Sequence, residues 1–261
     1  MMNIIRADMY RIFRGKAIYI TFAIMLLIAV LSVIVFMEAP QTGIIIEVTI
    51  ADDAADAITG ATAAQMAISS IDLLVYFFLP LILIVAISMF SSGAIKNEIS
   101  TGLDRTKLYF SKFILSSTLS IVFMLLHVLL HIILATPING FGYWGGILSN
   151  MVASFGALIL VALAFNSIGI FLCFVFQRSG AVNGIYLAVV FVPSAIIMLL
   201  SMAWPSVMDL ISYDLFNQFP ILSNVNLLSN AELACSIAIC LVFILAPLAA
   251  GVTIFKKAEI K

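Results

Sequence analysis

Six stretches of this sequence are long and apolar enough to cross a bilayer, and none carries an interior Lys or Arg. They fall at residues 17–37, 73–90, 113–136, 148–176, 181–203 and 233–255. A helix needs roughly 20 apolar residues to cross a hydrocarbon core of about 30 Å. A basic residue at the centre of such a helix costs roughly 2.5–3.5 kcal/mol on insertion scales. Composition points the same way: 64% of residues are hydrophobic and 10% charged, against about 45–50% and 25% in soluble domains. A water-soluble fold of 261 residues has no means of hiding that much apolar surface. The pattern predicts an all-α integral membrane protein, with residues 1–261 forming one transmembrane domain of six helices.

All twelve Lys and Arg fall on one side of a six-crossing arrangement. Arg6, Arg11, Arg14 and Lys16 precede the first span, and Lys96, Arg105, Lys107 and Lys112 lie between the second and third. Arg178 follows the fourth, while Lys256, Lys257 and Lys261 follow the sixth. The other side carries Glu38, Glu47, Asp52, Asp53, Asp56, Asp72, Asp209, Asp214 and Glu232 and no basic residue. Lys and Arg collect on the cytoplasmic side of spans, so both termini are expected inside. The first span is too long for a signal peptide, and no small-residue cleavage site follows it, so it reads as an uncleaved anchor.

Outside the spans, residues 1–16 place Ile5, Met9, Ile12 and Phe13 at helical spacing, with Arg11 and Arg14 on the opposite face. That is an amphipathic helix on the inner membrane surface, serving either as a topology anchor or as an elbow that passes force into the first span. The acidic segment 38–70 reads as a small extracellular cap, with a short strand at 44–50. Segment 204–230 is too polar to span and reads as short helices at the outer interface. Its Trp204, Tyr213, Phe216 and Phe219 suit that depth.

Catalytic and cofactor signals are absent or lack context. No Gly-x-x-x-x-Gly-Lys-Ser/Thr loop occurs, so the chain has no phosphate cradle of its own. Gly140-Phe-Gly-Tyr-Trp-Gly145 matches the dinucleotide fingerprint by letter, but it joins two spans and follows no strand, so it reads as a tight turn. His127 and His131, four apart in the third span, share a helix face. Three readings stand for them: satisfied packing, a substrate-path or proton-sensitive role, and a metal site, which would need more ligands. Asn166 and Ser167 invite helix-to-helix hydrogen bonding or substrate contact. Cys173, Cys235 and Cys240 lie in apolar runs and read as small core residues. No nucleophile–base–orienter set assembles at one membrane depth, so enzymatic chemistry is not expected of this chain.

The most informative segment is the loop 93–112, Gly-Ala-Ile-Lys-Asn-Glu-Ile-Ser-Thr-Gly-Leu-Asp-Arg-Thr-Lys-Leu-Tyr-Phe-Ser-Lys. Gly93 and Gly102 bracket a short helical piece, and Asp104 is placed to cap a second helix running straight into the third span. A compact helix–turn–helix exposing Lys96, Glu98, Arg105 and Lys107 is more than a connector needs; a plain charged turn is the simpler alternative. Here the sequence resembles the permease subunits of bacterial ABC-2-type transporters. In that family this loop commonly reads Gly-Thr-Ile-Lys-Asn, then Ser-Gly-x-Ser-Arg, then Tyr-x-x-Lys. Gly93, Ile95, Lys96, Asn97, Gly102, Arg105, Lys107, Tyr109 and Lys112 fall on the pattern, while Met89 and Ala94 stand where relatives often carry an acidic residue and Thr.

The resemblance implies an exporter permease fold in a bacterial cytoplasmic membrane, with 1–16 as the elbow helix. It implies a separate cytoplasmic ATPase dimer that binds the ATP and Mg, a second permease copy or paralogue, and no nucleic acid. Lys96, Asn97, Glu98, Gly102, Arg105, Lys107, Tyr109 and Lys112 would couple to the ATPase. His127, His131 and Asn166 would be candidates for the substrate path. Small bacterial members often export antimicrobial peptides or confer immunity to them. Two rival classes remain: an ATP-independent secondary transporter or channel, which would place more ionisable groups deep in the bundle, and a non-transporting scaffold, which would need a sizeable soluble part.

Overall fold

The computed structural model describes residues 2–38, 59–91, 93–95, 100 and 102–257. The proposed strand at 44–50 and most of the acidic cap lie outside the described residues, as do Lys96, Asn97 and Glu98. Among the described residues the fold is all-helical, with six helices long and apolar enough to cross a membrane.

Helix α1 (Met2–Arg14) meets α2 (Lys16–Glu38), the first span, at Gly15. The stripe of α1 that packs inward is Ile5, Asp8 and Ile12, with Asp8 only 4% exposed. Met9 and Phe13, placed with Ile5 and Ile12 on the apolar face, are exposed beside this stripe. A buried carboxylate displaces the apolar stripe by one position, for a reason given below.

The second crossing starts earlier than hydropathy placed it. Helix α3 (Gly60–Ser69) occupies part of the segment read as an extracellular cap, with Gly60, Ala61, Ala63, Ala64, Ala67 and Ile68 buried. Thr59 caps it by accepting from Thr62 N. Gly60 N and Ala61 N donate to Gly140 O and Phe141 O, so its start is hydrogen-bonded to the end of the third span. The crossing continues through a 3-10 turn (Ile71–Leu74), α4 (Val75–Ile82), a π-helical segment (Leu83–Ile87) and α5 (Ser88–Ser91). Pro80 sits inside α4 and cannot donate to the helix ladder.

The third span, α6 (Arg105–Asn139), is continuous for 35 residues, about 52 Å at the helical rise and well beyond the apolar core. Asp104 accepts from Thr106 N and caps it, as the sequence indicates. Helix α7 (Ile147–Phe176), the fourth span, is central and packs on the third, fifth and sixth spans and on α3 and α4 of the second crossing. Its small residues Ala162, Ala164, Ser167, Gly169 and Cys173 admit close neighbours. A Cβ on Gly169 would lie 2.5 Å from Ile82 Cδ1. Gln177, at φ 54°, turns the chain into α8 (Ser179–Ser201), the fifth span.

Between the fifth and sixth spans come a 3-10 helix (Pro205–Tyr213) and the short helix α9 (Gln218–Leu222). Trp204 and Tyr213 are exposed, as an interfacial position requires. Phe219 instead reaches into the bundle, its ring stacked on Phe165 at 5.7 Å, and Leu215 and Leu222 are buried with it. The segment read as lying on the outer interface is therefore partly re-entrant. It dips among the spans because its apolar side chains alternate with polar groups that find internal partners. Helix α10 (Asn230–Lys257) completes the bundle, packed along α7.

Candidate functional site

Every described Lys and Arg lies at the end of the bundle that carries α1, and the start of α6 is the hub there. Arg105 donates from Nη1 to Phe255 O (3.0 Å) and Lys256 O (3.1 Å), and its guanidinium lies 5.8 Å from the Phe255 ring centre. A cation suits that place, because the last carbonyls of a helix carry partial negative charge. One turn on, Tyr109 is fully buried; its hydroxyl donates to Pro247 O at 3.4 Å, and its ring packs 4.8 Å from Phe174. Gly251 makes that approach possible: a Cβ there would lie 2.2 Å from the Tyr109 hydroxyl oxygen.

Lys112 is 0% exposed, and its ammonium donates to the Asp8 carboxylate on α1. Arg11 donates to the other Asp8 oxygen at 2.8 Å. A buried charge is tolerated only when paired and hydrogen-bonded, which explains why Asp8 holds the inward face of α1. Asp8 escaped the sequence reading: its partner is 104 residues away, and helical periodicity counts an acidic residue as solvent-facing.

Of the residues assigned to the loop by resemblance, Arg105, Tyr109 and Lys112 are thus joints within the chain. Tyr109 and Lys112 present no side chain to the outside. Lys107 and Gly102 are exposed, and Gly102 adopts φ 83°, a left-handed conformation that suits glycine. Arg6 and Arg14 are exposed on α1, and Arg14 donates to Tyr10 Oη at 3.3 Å.

The three residues assigned to a path are buried and fall in two places. The His127 and His131 rings lie with centres 4.4 Å apart and planes tilted by 59°. His131 Nδ1 lies 2.9 Å from His127 O, a group that only accepts, so Nδ1 carries the proton; in the neutral ring Nε2 then accepts from Ser32 Oγ at 2.8 Å. His127 Nε2 lies 3.3 Å from Ser70 Oγ. Asn166 pairs with Ser120, about two turns along α6 from the histidines, donating to its Oγ at 2.9 Å and to Ala162 O at 2.8 Å. Ser167 donates to Ile244 O at 2.8 Å. These bonds join the first, second, fourth and sixth crossings to the rest, the helix-to-helix reading of these residues. No group of three or more His, Cys, Asp or Glu among the described residues is placed to hold a metal.

A second polar knot lies away from α1. Ser194 on the fifth span donates to Asp214, Asn217 Nδ2 donates to the same carboxylate at 3.0 Å, and Gln218 Nε2 donates to Ser212 O at 2.7 Å. From the sequence Asp214 reads only as an acidic residue of an outer segment; it is 8% exposed.

Six apolar crossings, internal hydrogen bonding of their polar groups and a basic end define a multi-pass α-helical membrane protein. Residues 4–194 match the family described as ABC-2 family transporter protein, and the chain belongs to that family. Comparison with curated proteins finds no match. As a member, the chain is a membrane transport component and not itself catalytic, and the family works with an ATPase partner.

Proposed function

We propose that this chain is the transmembrane subunit of an ATP-driven exporter, forming the substrate path and taking its driving motion from a separate cytoplasmic ATPase through the loop 93–112. Two such subunits and two ATPases make the working unit, with both termini and the basic end cytoplasmic in a bacterial cell membrane. The observation that carries this reading is the joint at the start of α6. Arg105, Tyr109 and Lys112 tie it to the last span and to the elbow helix, so a push delivered beside Lys107 moves three elements together. Lys107, exposed two residues beyond Arg105, is the described cation best placed to meet the partner. Export of amphipathic compounds such as antimicrobial peptides fits the apolar bundle and the resemblance.

The test is co-purification with a cytoplasmic ABC ATPase from the same cell, followed by transport into inverted vesicles with and without ATP. Lys107→Glu is expected to abolish ATP-driven transport while shifting stability by no more than about 0.5 kcal/mol, the usual range for a surface change. Full transport by that variant, or a permease that moves substrate without any ATPase, would overturn the reading.

A further inference from the structure

Asp72, assigned to the acidic side by its sequence position, sits in a 3-10 turn whose neighbours contact the third and fifth spans well inside the apolar depth. Its neighbour Ser70 reaches His127, near the middle of the apolar part of α6. Tyr186, about one turn inward of the midpoint of the fifth span, donates to Val75 O at 3.3 Å. Phe191, in the same region, stacks on Tyr76 with ring centres 5.7 Å apart and planes 24° from parallel. Yet Asp72 is only half-buried, and Leu73 beside it and Phe191 across from it are 41% and 50% exposed. The ion pairs among the described residues belong to Asp8, so Asp72 has no cation opposite it there.

A carboxylate at this depth does not face acyl chains; such groups face water-lined paths or polar partners. The surroundings favour positive charge. Every described Lys and Arg is at the far end of the bundle, whereas helix α9, packed on this turn, brings the buried Gln218, whose Oε1 has no partner among the described residues. Stacked aromatic faces beside a carboxylate attract organic cations, because the ring faces are electron-rich.

We propose that Asp72, Tyr76 and Phe191 form a mid-membrane subsite, between the second and fifth spans, for the positively charged group of a lipophilic cation. The subsite rests on the permease reading for its place in a transport path, but binding itself is measurable without the ATPase.

The experiment is equilibrium dialysis of the full chain in phosphatidylcholine nanodiscs against tetraphenylphosphonium and against tetraphenylborate, its anionic counterpart of matching shape. Saturable binding is expected for the cation alone. Asp72→Asn should weaken it by about tenfold or more, Phe191→Leu by roughly threefold, and Asp72→Glu should retain it. Asp209→Asn, an exposed carboxylate outside the subsite, should bind as the parent. If Asp72→Asn fails to fold, Phe191→Leu, half-exposed and neutral, still reads the subsite. Equal binding of cation and anion, unchanged cation binding in Asp72→Asn and Phe191→Leu, or a carboxamide variant that dissociates a permease pair while binding the cation normally would each overturn the proposal. Loss of cation binding with the ATPase complex intact counts against the subsite alone; cation binding with no ATPase complex counts against the permease reading alone.

Discussion

From Arg105 to Asn139 the third span keeps one hydrogen-bond pattern, whereas between Gly60 and Ser91 the second changes from α to 3-10, back to α, to π and to α again. Both cross the same bilayer beside the same central helix. The unbroken helix carries Arg105, Tyr109 and Lys112 at one end and His127 and His131 further along, so under the proposed function it is the element that would carry displacement from the loop along its length. The broken one changes geometry repeatedly: Ser70, just before its 3-10 turn, lies level with His127, and its π segment contains the extra residue that defines such bulges, often found at functional sites. A stiff lever beside a compliant strut lets one push have different consequences on the two sides of the α7 core.

Deleting one residue tests the contrast most severely. Within the π segment, removing Val85 restores α geometry and leaves both flanks in register, so the protein should still purify as a monodisperse species. Removing Leu125 from α6 rotates everything beyond it by about 100° and should abolish folding, as expression and size-exclusion profiles would show. Equal tolerance of the two deletions would erase the distinction.

Next in size are the fixings of the lever. Asp8→Asn leaves the Lys112 ammonium buried without its counter-charge and should cost about 3–5 kcal/mol. Lys112→Met leaves Asp8 still bonded to Arg11 and should cost clearly less, so thermal unfolding of the two variants in detergent should differ in that order. Gly251→Ala forces a methyl against Tyr109 and should destabilise by about 1–3 kcal/mol; Tyr109→Leu in the same chain should recover part of the loss. The smallest effect belongs to the polar contacts along the lever: Ser120→Ala should cost only about 0.6 kcal/mol, the mean for hydrogen bonds between membrane helices. A larger loss would mean that Asn166, left with Ala162 O, depends on Ser120 more than an ordinary pair does.

The spans were legible because hydropathy and the placement of Lys and Arg are one-dimensional signals. Asp104 was legible because capping is local. Helix α3 was missed because its Ala-rich run follows an acidic stretch that lowers the average, although Thr59 and the small residues after it form a start signal that could have found it. The re-entrant Phe219 and Leu222 were missed because neighbouring Asn, Asp and Pro residues read as loop, and partners such as Ser194 for Asp214 come from elsewhere in the chain. The loop residues were identified by resemblance, which marks positions but does not separate Lys107, facing out, from Tyr109 and Lys112, facing in. Asp72 shows the same limit: a charge at the edge of an apolar run is placed by hydropathy alone, and the helix preceding it moves it inward.

The ion pair between Asp8 and Lys112 also constrains the order of biogenesis. The acid emerges from the ribosome 104 residues before its basic partner, an interval of roughly 5–20 s at ordinary translation speed. During that time α1 rests at the membrane surface with Arg11, three residues away, as the partner already at hand for the carboxylate. Docking of the N-terminus is then a late event in synthesis, waiting on insertion of the third span rather than of the first.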